Sequence, residues 1–310
     1  MTDTRSIPLS ALELSGAIRD GRPYDASRLD RVLRVDERHG LVEVQAATPW
    51  KTIAASLRPG DARAAKVQTT MATVGDSVSC NTAGPDGRPA VMHVESMALV
   101  TPKGELARVS RTAHRELFSL VAGGQGLFGA LYSVTLDIGS LSRAVNDAAE
   151  PEVLSPMQSD ARPLRLLLPP DELDAFLAEA RRLAGLWRLP LAGIEVRRTR
   201  EETDTFLGWA RREYADVTLA LAEPPVLGTA VRATQLRREL IAAAIARRGS
   251  FPVYCTPEAT RVQAEACYPQ LPRFLAEKRR VDPGERMVNP WYRHYRRLFS
   301  NQKCAVRWTS

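Results

Sequence analysis

Seven residues, Gly123-Gly124-Gln125-Gly126-Leu127-Phe128-Gly129, contain four glycines and restrict the fold more than any other stretch of the chain. Glycine reaches positive φ and lets backbones approach closely, at an entropic cost, so such a cluster belongs where ordinary residues do not fit. The preceding HRELFSLVAGG reads as a short helix stopped by Gly123-Gly124, and residues 130–138 alternate as a strand. The G-x-G within the cluster is not the dinucleotide fingerprint, which needs a strand before the glycines and a helix after them. Alone, the cluster reads equally well as a ligand-facing loop or a tight turn.

A second segment of small residues and hydroxyls runs Thr73-Val74-Gly75-Asp76-Ser77-Val78-Ser79-Cys80-Asn81-Thr82-Ala83-Gly84. It lets backbone amides come close to a ligand, and amides at a helix start favour phosphate. The competing reading is a plain Gly/Ser loop before a strand.

The elements around these segments follow from turn chemistry and periodicity. Residues 1–24 show little periodicity and read as a loosely ordered leader. VLRVDERHGLVEVQAA (32–47) is a hairpin with a Gly-closed turn, and MALVTPKGELARVS (97–110) is a hairpin turning on Thr101-Pro102-Lys103-Gly104. A helix is expected from Thr48, with Thr48 as cap, Pro49 in first position, Trp50, Ile53, Ala54 and Leu57 on one face, and Arg58-Pro59-Gly60 as its stop. A polar stretch at 139–160 marks a boundary. Beyond it PLRLLL, GIEVR and DVTLALA read as strands. DELDAFLAEARRLAGLW, TREETDTFLGWARREY and TAVRATQLRRELIAAAIARR read as amphipathic helices. A last helix, ATRVQAEACYPQLPRFLAEKRR, is interrupted near Pro269 and Pro272.

Composition then excludes several classes. At 310 residues, about two domains of roughly 150 residues are expected. The net charge is +7, but the arginines are dispersed and no block of like charge forms a nucleic-acid arm, so nucleic acid is not an expected partner. Cys80, Cys255, Cys267 and Cys304 fit no zinc spacing and read as free thiols, so no metal is expected. No apolar run approaches a membrane span and the N-terminus has no signal-peptide core, which together give a cytoplasmic expectation. Of His39, His93, His114 and His294, each fits an ordinary surface or packing role. His294, in the aromatic-basic WYRHYRR, is the best placed for chemistry. Trp291, Tyr292 and Tyr295 fit core packing better than ring stacking.

Taken in order, hairpin, helix, TVG…N…G, a T-P-x-G-E hairpin, R-E-L-F, GGxGxFG and an alternating strand, the region 25–138 resembles the FAD-binding domain of the vanillyl-alcohol-oxidase, or PCMH-type, oxidoreductases. The run from 245 to 295 is similar to the chain end of the same family, nearest to sugar-alcohol, aldonolactone and decaprenylphosphoryl-ribose oxidases. The resemblance implies an α+β fold with a second FAD subdomain largely present, a first mostly missing, and an α+β cap with an antiparallel sheet. It divides the chain into a leader or first-subdomain remnant (1–24), an FAD-binding subdomain (25–145), a cap or substrate domain (146–265) and a return to the FAD domain (266–310).

The same resemblance implies FAD as cofactor, held by Thr73, Val74, Gly75, Ser77, Ser79, Asn81, Gly84, Gly126, Gly129, Ala130 and Val134, with Asn289 and Tyr292 near the ring. It implies oxidation of a sugar- or polyol-like alcohol by hydride transfer to the flavin. The family's R-G-x-G-H-S-like pyrophosphate loop has no counterpart in Ser15–Arg22, so the flavin is expected to be noncovalent. Asp76 stands where relatives carry glycine, an unfavourable charge beside a diphosphate. At 254–258, where relatives place basic residues by the ring, the chain reads Tyr-Cys-Thr-Pro-Glu. The alternative is a degenerate, noncatalytic relative acting as a binding subunit, with a protein partner over the face left by the missing subdomain.

Overall fold

The computed structural model describes residues 10–57, 73–157 and 162–300. The chain divides into two compact units. The first gathers the described residues up to Glu150 together with Thr199–Arg212 and Lys278–Met287; the second holds Pro151–Arg198, Glu213–Glu277 and the described residues from Val288.

In the first unit the order is α1 (Ala11–Asp20), β1 (Val32–Asp36), β2 (Leu41–Gln45), α2 (Trp50–Leu57), α3 (Val74–Cys80), β3 (Val94–Val100), β4 (Leu106–Ser110), α4 (Arg115–Val121), β5 (Ala130–Asp137) and α5 (Ile138–Asn146). The five strands form one antiparallel sheet, ordered β1-β2-β5-β3-β4. Both expected hairpins are present. The first turns through Gly40, and in the second Gly104 N–H donates to the Thr101 carbonyl (2.8 Å). β5 is central, with Val134 opposite Val44 and Met97, and all three are fully buried.

The residues expected to form a loosely ordered leader instead contain α1. Ser10 and Glu13 form a reciprocal capping box, Gly21 closes the helix in the left-handed region, and Leu14 and Ile18 join Leu29 and Val100 in a buried cluster. The S-x-x-E pattern ahead of an i, i+4 apolar pair carries that signal in the sequence. The expected helix start at Thr48 is also corrected. Thr48 Oγ1 donates to the Arg31 carbonyl (3.2 Å), and the helix begins at Trp50 with the Pro49 carbonyl accepting from Ile53. Trp50 and Ile53 are buried. The side chains of Ala54 and Leu57, and the stop at Arg58-Pro59-Gly60, lie outside the described residues, as does Cys304.

In the second unit β6 (Glu152–Ser155), β7 (Arg162–Leu168), α6 (Leu173–Trp187), β8 (Leu191–Thr199), β9 (Tyr214–Leu221), α7 (Thr229–Ala246), α8 (Arg261–Cys267), α9 (Leu271–Val281) and α10 (Pro290–Ser300) follow. Lys278 and the rest of the last turn of α9 belong to the first unit. The sheet is ordered β6-β8-β9-β7, with β6 antiparallel to β8 and β7 to β9. α6 and α7 pack on one another, and each buries an apolar face that includes Phe176 and Ala180 on α6 and Leu236 and Leu240 on α7.

One expected helix is absent. TREETDTFLGWARREY is irregular from 200 to 213. Its threonines, Asp204 and Gly208 are weak helix formers, and its polar groups are recruited by distant partners described below.

Candidate functional site

Thr73 caps α3: its hydroxyl accepts from Asp76 N–H (3.2 Å) and donates to the Asp76 carboxylate (2.7 Å). Gly75 lets the helix seat against the end of β2. Its N–H donates to the Ala46 carbonyl at 2.7 Å, and an added Cβ would lie 2.7 Å from that oxygen and 2.8 Å from the Ala46 Cβ. Val74 N–H donates to Thr48 O and Ser77 N–H to Thr73 O. The amides of Val74, Gly75 and Asp76, which a helix start ordinarily leaves open, are therefore all taken, and Ser77 N–H makes the first bond of the helix itself. This corrects the expectation of a phosphate-ready helix start. Asp76 is exposed and already partnered by Thr73.

The glycine turn meets the other end of α3. Gly123 N–H donates to Val78 O (2.9 Å) and Gln125 N–H to Ser79 O (2.8 Å), so the two segments singled out in the sequence lie side by side. Gln125 and Gly126 both have positive φ, 58° and 69°. Gly126 is exposed, and a Cβ there would meet nothing within 4 Å. Gly129 passes close to β3, and Ala130 begins β5 beside the cluster of Leu14, Ile18 and Val100. The hydroxyl of half-buried Ser79 has no partner among the described residues.

The remaining expected contacts in the first unit face inward. Ser77 is buried and accepts from Trp50 Nε1 (2.8 Å). Val134 lies in the core of the sheet. Gly84 opens a tight turn, with Gly84 N–H donating to Arg88 O (2.9 Å). Asn81 ends α3 in the left-handed region and is wholly buried. Its Oδ1 accepts from Val91 N–H (2.9 Å), its Nδ2 donates to Glu202 (3.1 Å), and its carbonyl accepts from Trp209 Nε1 (2.8 Å).

Two parts of this centre were not anticipated from the sequence. The first is the 199–212 segment. Glu202 accepts from Asp204 N–H (2.8 Å), Thr205 N–H (3.1 Å) and the Thr205 hydroxyl, while Asp204 pairs with Arg111 (2.8 Å). Burial pushes the Glu202 carboxyl above its ordinary value, against the pull of those donors.

The second is Lys278, fully buried, whose ammonium donates to Leu127 O (2.8 Å) and to Asp282. Burial lowers the Lys278 pKa. At Asp282 burial acts the other way, but Lys278 and the N–H groups of Met287 and Arg286 outweigh it and hold the carboxyl below its usual range.

Asn289 and Tyr292 belong to the second unit. Asn289 Oδ1 accepts from Tyr292 N–H (2.8 Å) at the start of α10, and Tyr292 is buried. In the same unit Arg165 forms an ion pair with Asp216 and donates to the Tyr254 hydroxyl (2.5 Å). That places a guanidinium beside the Tyr-Cys-Thr-Pro-Glu run, which carries no basic residue of its own.

Of the histidines, His93 is buried on the Ser140 hydroxyl (2.8 Å), and burial lowers its pKa. His294 lines a cleft with Pro290, Arg293, Arg297 and Leu298; its buried Nε2 has no partner among the described residues, and burial lowers its pKa too.

A protein-family model for the FAD binding domain matches residues 10–110. The match runs from the cap of α1 through the end of β4 and contains α3. The glycine turn lies beyond it but is hydrogen-bonded to Val78 and Ser79 within it. No curated protein matches the chain. Among the described residues no helix is long and apolar enough to cross a membrane.

Proposed function

We propose, for a chain whose residues 10–110 match a family model for the FAD binding domain, that it is a PCMH-type oxidoreductase that oxidises a sugar- or polyol-like alcohol using a noncovalently held flavin. The domain is an FAD-binding one, and an FAD-dependent oxidoreductase is the general activity it supports.

The observation that carries the finer reading is the contact between the 73–84 and 123–129 segments. It leaves one open edge, made of the Ser79 hydroxyl and the exposed Gly126. This edge fits FAD in a particular way. The first-turn amides of α3 are consumed, so the donors that remain suit the flavin's hydroxyl and amide groups better than its diphosphate. In this reading Ser79, Gly126 and Ala130 touch the cofactor. Thr73, Val74, Gly75, Ser77, Asn81, Gly84, Gly129 and Val134 build the platform under it, and Asn289 and Tyr292 belong to the ring's surroundings.

Bound flavin supplies a two-electron acceptor for substrate hydride. The chain's own part is to bind and orient. The second unit, read as the cap, offers Arg165, paired with Asp216 and donating to the Tyr254 oxygen. Such a charged and hydroxylic group suits a polyol. The test is a visible spectrum of the purified full chain with and without added FAD. Flavin absorbance, or its appearance on addition, is expected. A colourless protein that takes up no FAD overturns the reading.

A second reading, a noncatalytic relative pairing with a partner chain, draws on one observation. Edge strand β1 exposes Leu33 and Val35, 42% and 44%, and an uncovered apolar edge suits a partner.

A further inference from the structure

We propose that Lys278 is a positioning residue for the flavin: from beneath the glycine turn it fixes the Leu127 carbonyl, and through it the open edge at Gly126. This rests on the reading that the turn faces the cofactor.

The ammonium is wholly enclosed and joins the glycine turn to the 278–287 segment. It donates to Leu127 O in the turn (2.8 Å) and to Asp282 one helical turn further on. Asp282 in turn accepts from the backbone N–H groups of Arg286 (3.0 Å) and Met287 (2.8 Å). Arg286 reaches the carbonyls of Arg19 (3.3 Å) and Pro102 (3.4 Å). The turn is thus tied by Gln125 N–H to α3 on one side and by Leu127 O to the 278–287 segment on the other. Gly126 lies between these two anchors, with positive φ and no side chain to hold it.

Energetics argue that the charge is there for geometry. Enclosing an ammonium costs several kcal/mol in lost hydration, and exchanging a buried ion pair for well-packed apolar side chains is often neutral or stabilising. A methionine would fill the space of Lys278. It would not grip a carbonyl.

The test uses the full chain and three variants: K278M/D282N, which removes both charges while Asn keeps one acceptor oxygen for the Arg286 amide; K278R; and Gly126→Trp, which obstructs the edge. Titration of apoprotein with FAD should show affinity reduced about tenfold in K278M/D282N, a smaller loss in K278R, and a shifted flavin circular-dichroism band, with far-ultraviolet dichroism unchanged. Amide exchange at 123–129 should quicken in the double variant even without FAD. A folded double variant with unchanged affinity and unchanged exchange overturns the proposal. If the turn loosens but neither this variant nor Gly126→Trp alters FAD binding, the flavin-facing reading of the turn fails and the proposal fails with it. If the wild-type chain takes up no FAD, the proposed function fails and the proposal fails with it, and quickened exchange in the double variant then shows only that Lys278 anchors the turn.

Discussion

The 73–84 segment and the 123–129 turn look alike in composition, both rich in small residues, yet they have opposite relations to solvent. In the first, most polar groups are turned inward: the amides from Val74 to Ser77 are spent on Ala46, Thr48 and Thr73, and Asn81 is engaged by Val91, Glu202 and Trp209, with Asp76 and Ser79 the exceptions. In the second, the backbone bulges outward through Gln125 and Gly126 and is gripped from behind by Lys278. Small residues therefore serve two ends here. In α3 they let helix and sheet close up. In the turn they hold a backbone shape at an edge.

Substitutions can break or sharpen this contrast. Gly75→Ala should have the largest effect, because its Cβ would lie 2.7 Å from a backbone oxygen that cannot rotate away. A loss of about 3 kcal/mol in urea unfolding is expected, the upper part of the range for overpacking. Gly126→Ala meets no atom, so only the left-handed backbone opposes it. A loss of about 1 kcal/mol is expected by the same measurement. If the two cost the same, the contrast between a closed and an open segment is wrong.

Glu202→Gln should produce the smallest effect, visible as a slope. Burial raises the Glu202 carboxyl in the folded state, so its contribution to stability is present below the ordinary carboxyl range near 4.5 and fades as pH rises through the raised value. Glutamine does not titrate. The stability of wild type relative to the variant, followed by urea midpoint from pH 4 to pH 8, should therefore decline with rising pH. A flat difference would place the carboxylate in a more solvated setting than the Asn81 centre provides.

Much of the first unit was legible because its signals are local. Thr101-Pro102-Lys103-Gly104 and the Gly40 turn specify hairpins through their own backbone preferences, and the alternation of 130–138 specifies a strand buried in the sheet. α1 was equally local, in Ser10 and Glu13, but the glycines at 16 and 21 obscured it. The 199–212 segment was not legible. Its threonines and acids occur with helical spacing, and what decides its shape is Asn81, 121 residues away from Glu202. Lys278 was unreadable for the same reason: within its own sequence it is one base of AEKRR on a charged helix, and only the fold reveals a carbonyl above it. For the candidate site, the sequence indicated which two segments matter. It could not say that one of them is already hydrogen-bonded to itself.

The first unit is assembled from three separate stretches of chain, and that has a consequence for its biogenesis. During synthesis Asn81 waits for Glu202, and Leu127 waits 151 residues for Lys278. At roughly 5–20 residues per second, the second interval is on the order of ten to thirty seconds. Throughout it the sheet can form, but the underside of the glycine turn is wet and unanchored. The second unit is inserted into that interval, since residues 213–277 emerge before Lys278 does. Anchoring of the glycine turn by Lys278 is thereby placed late on the ribosome, after most of the second unit has been made.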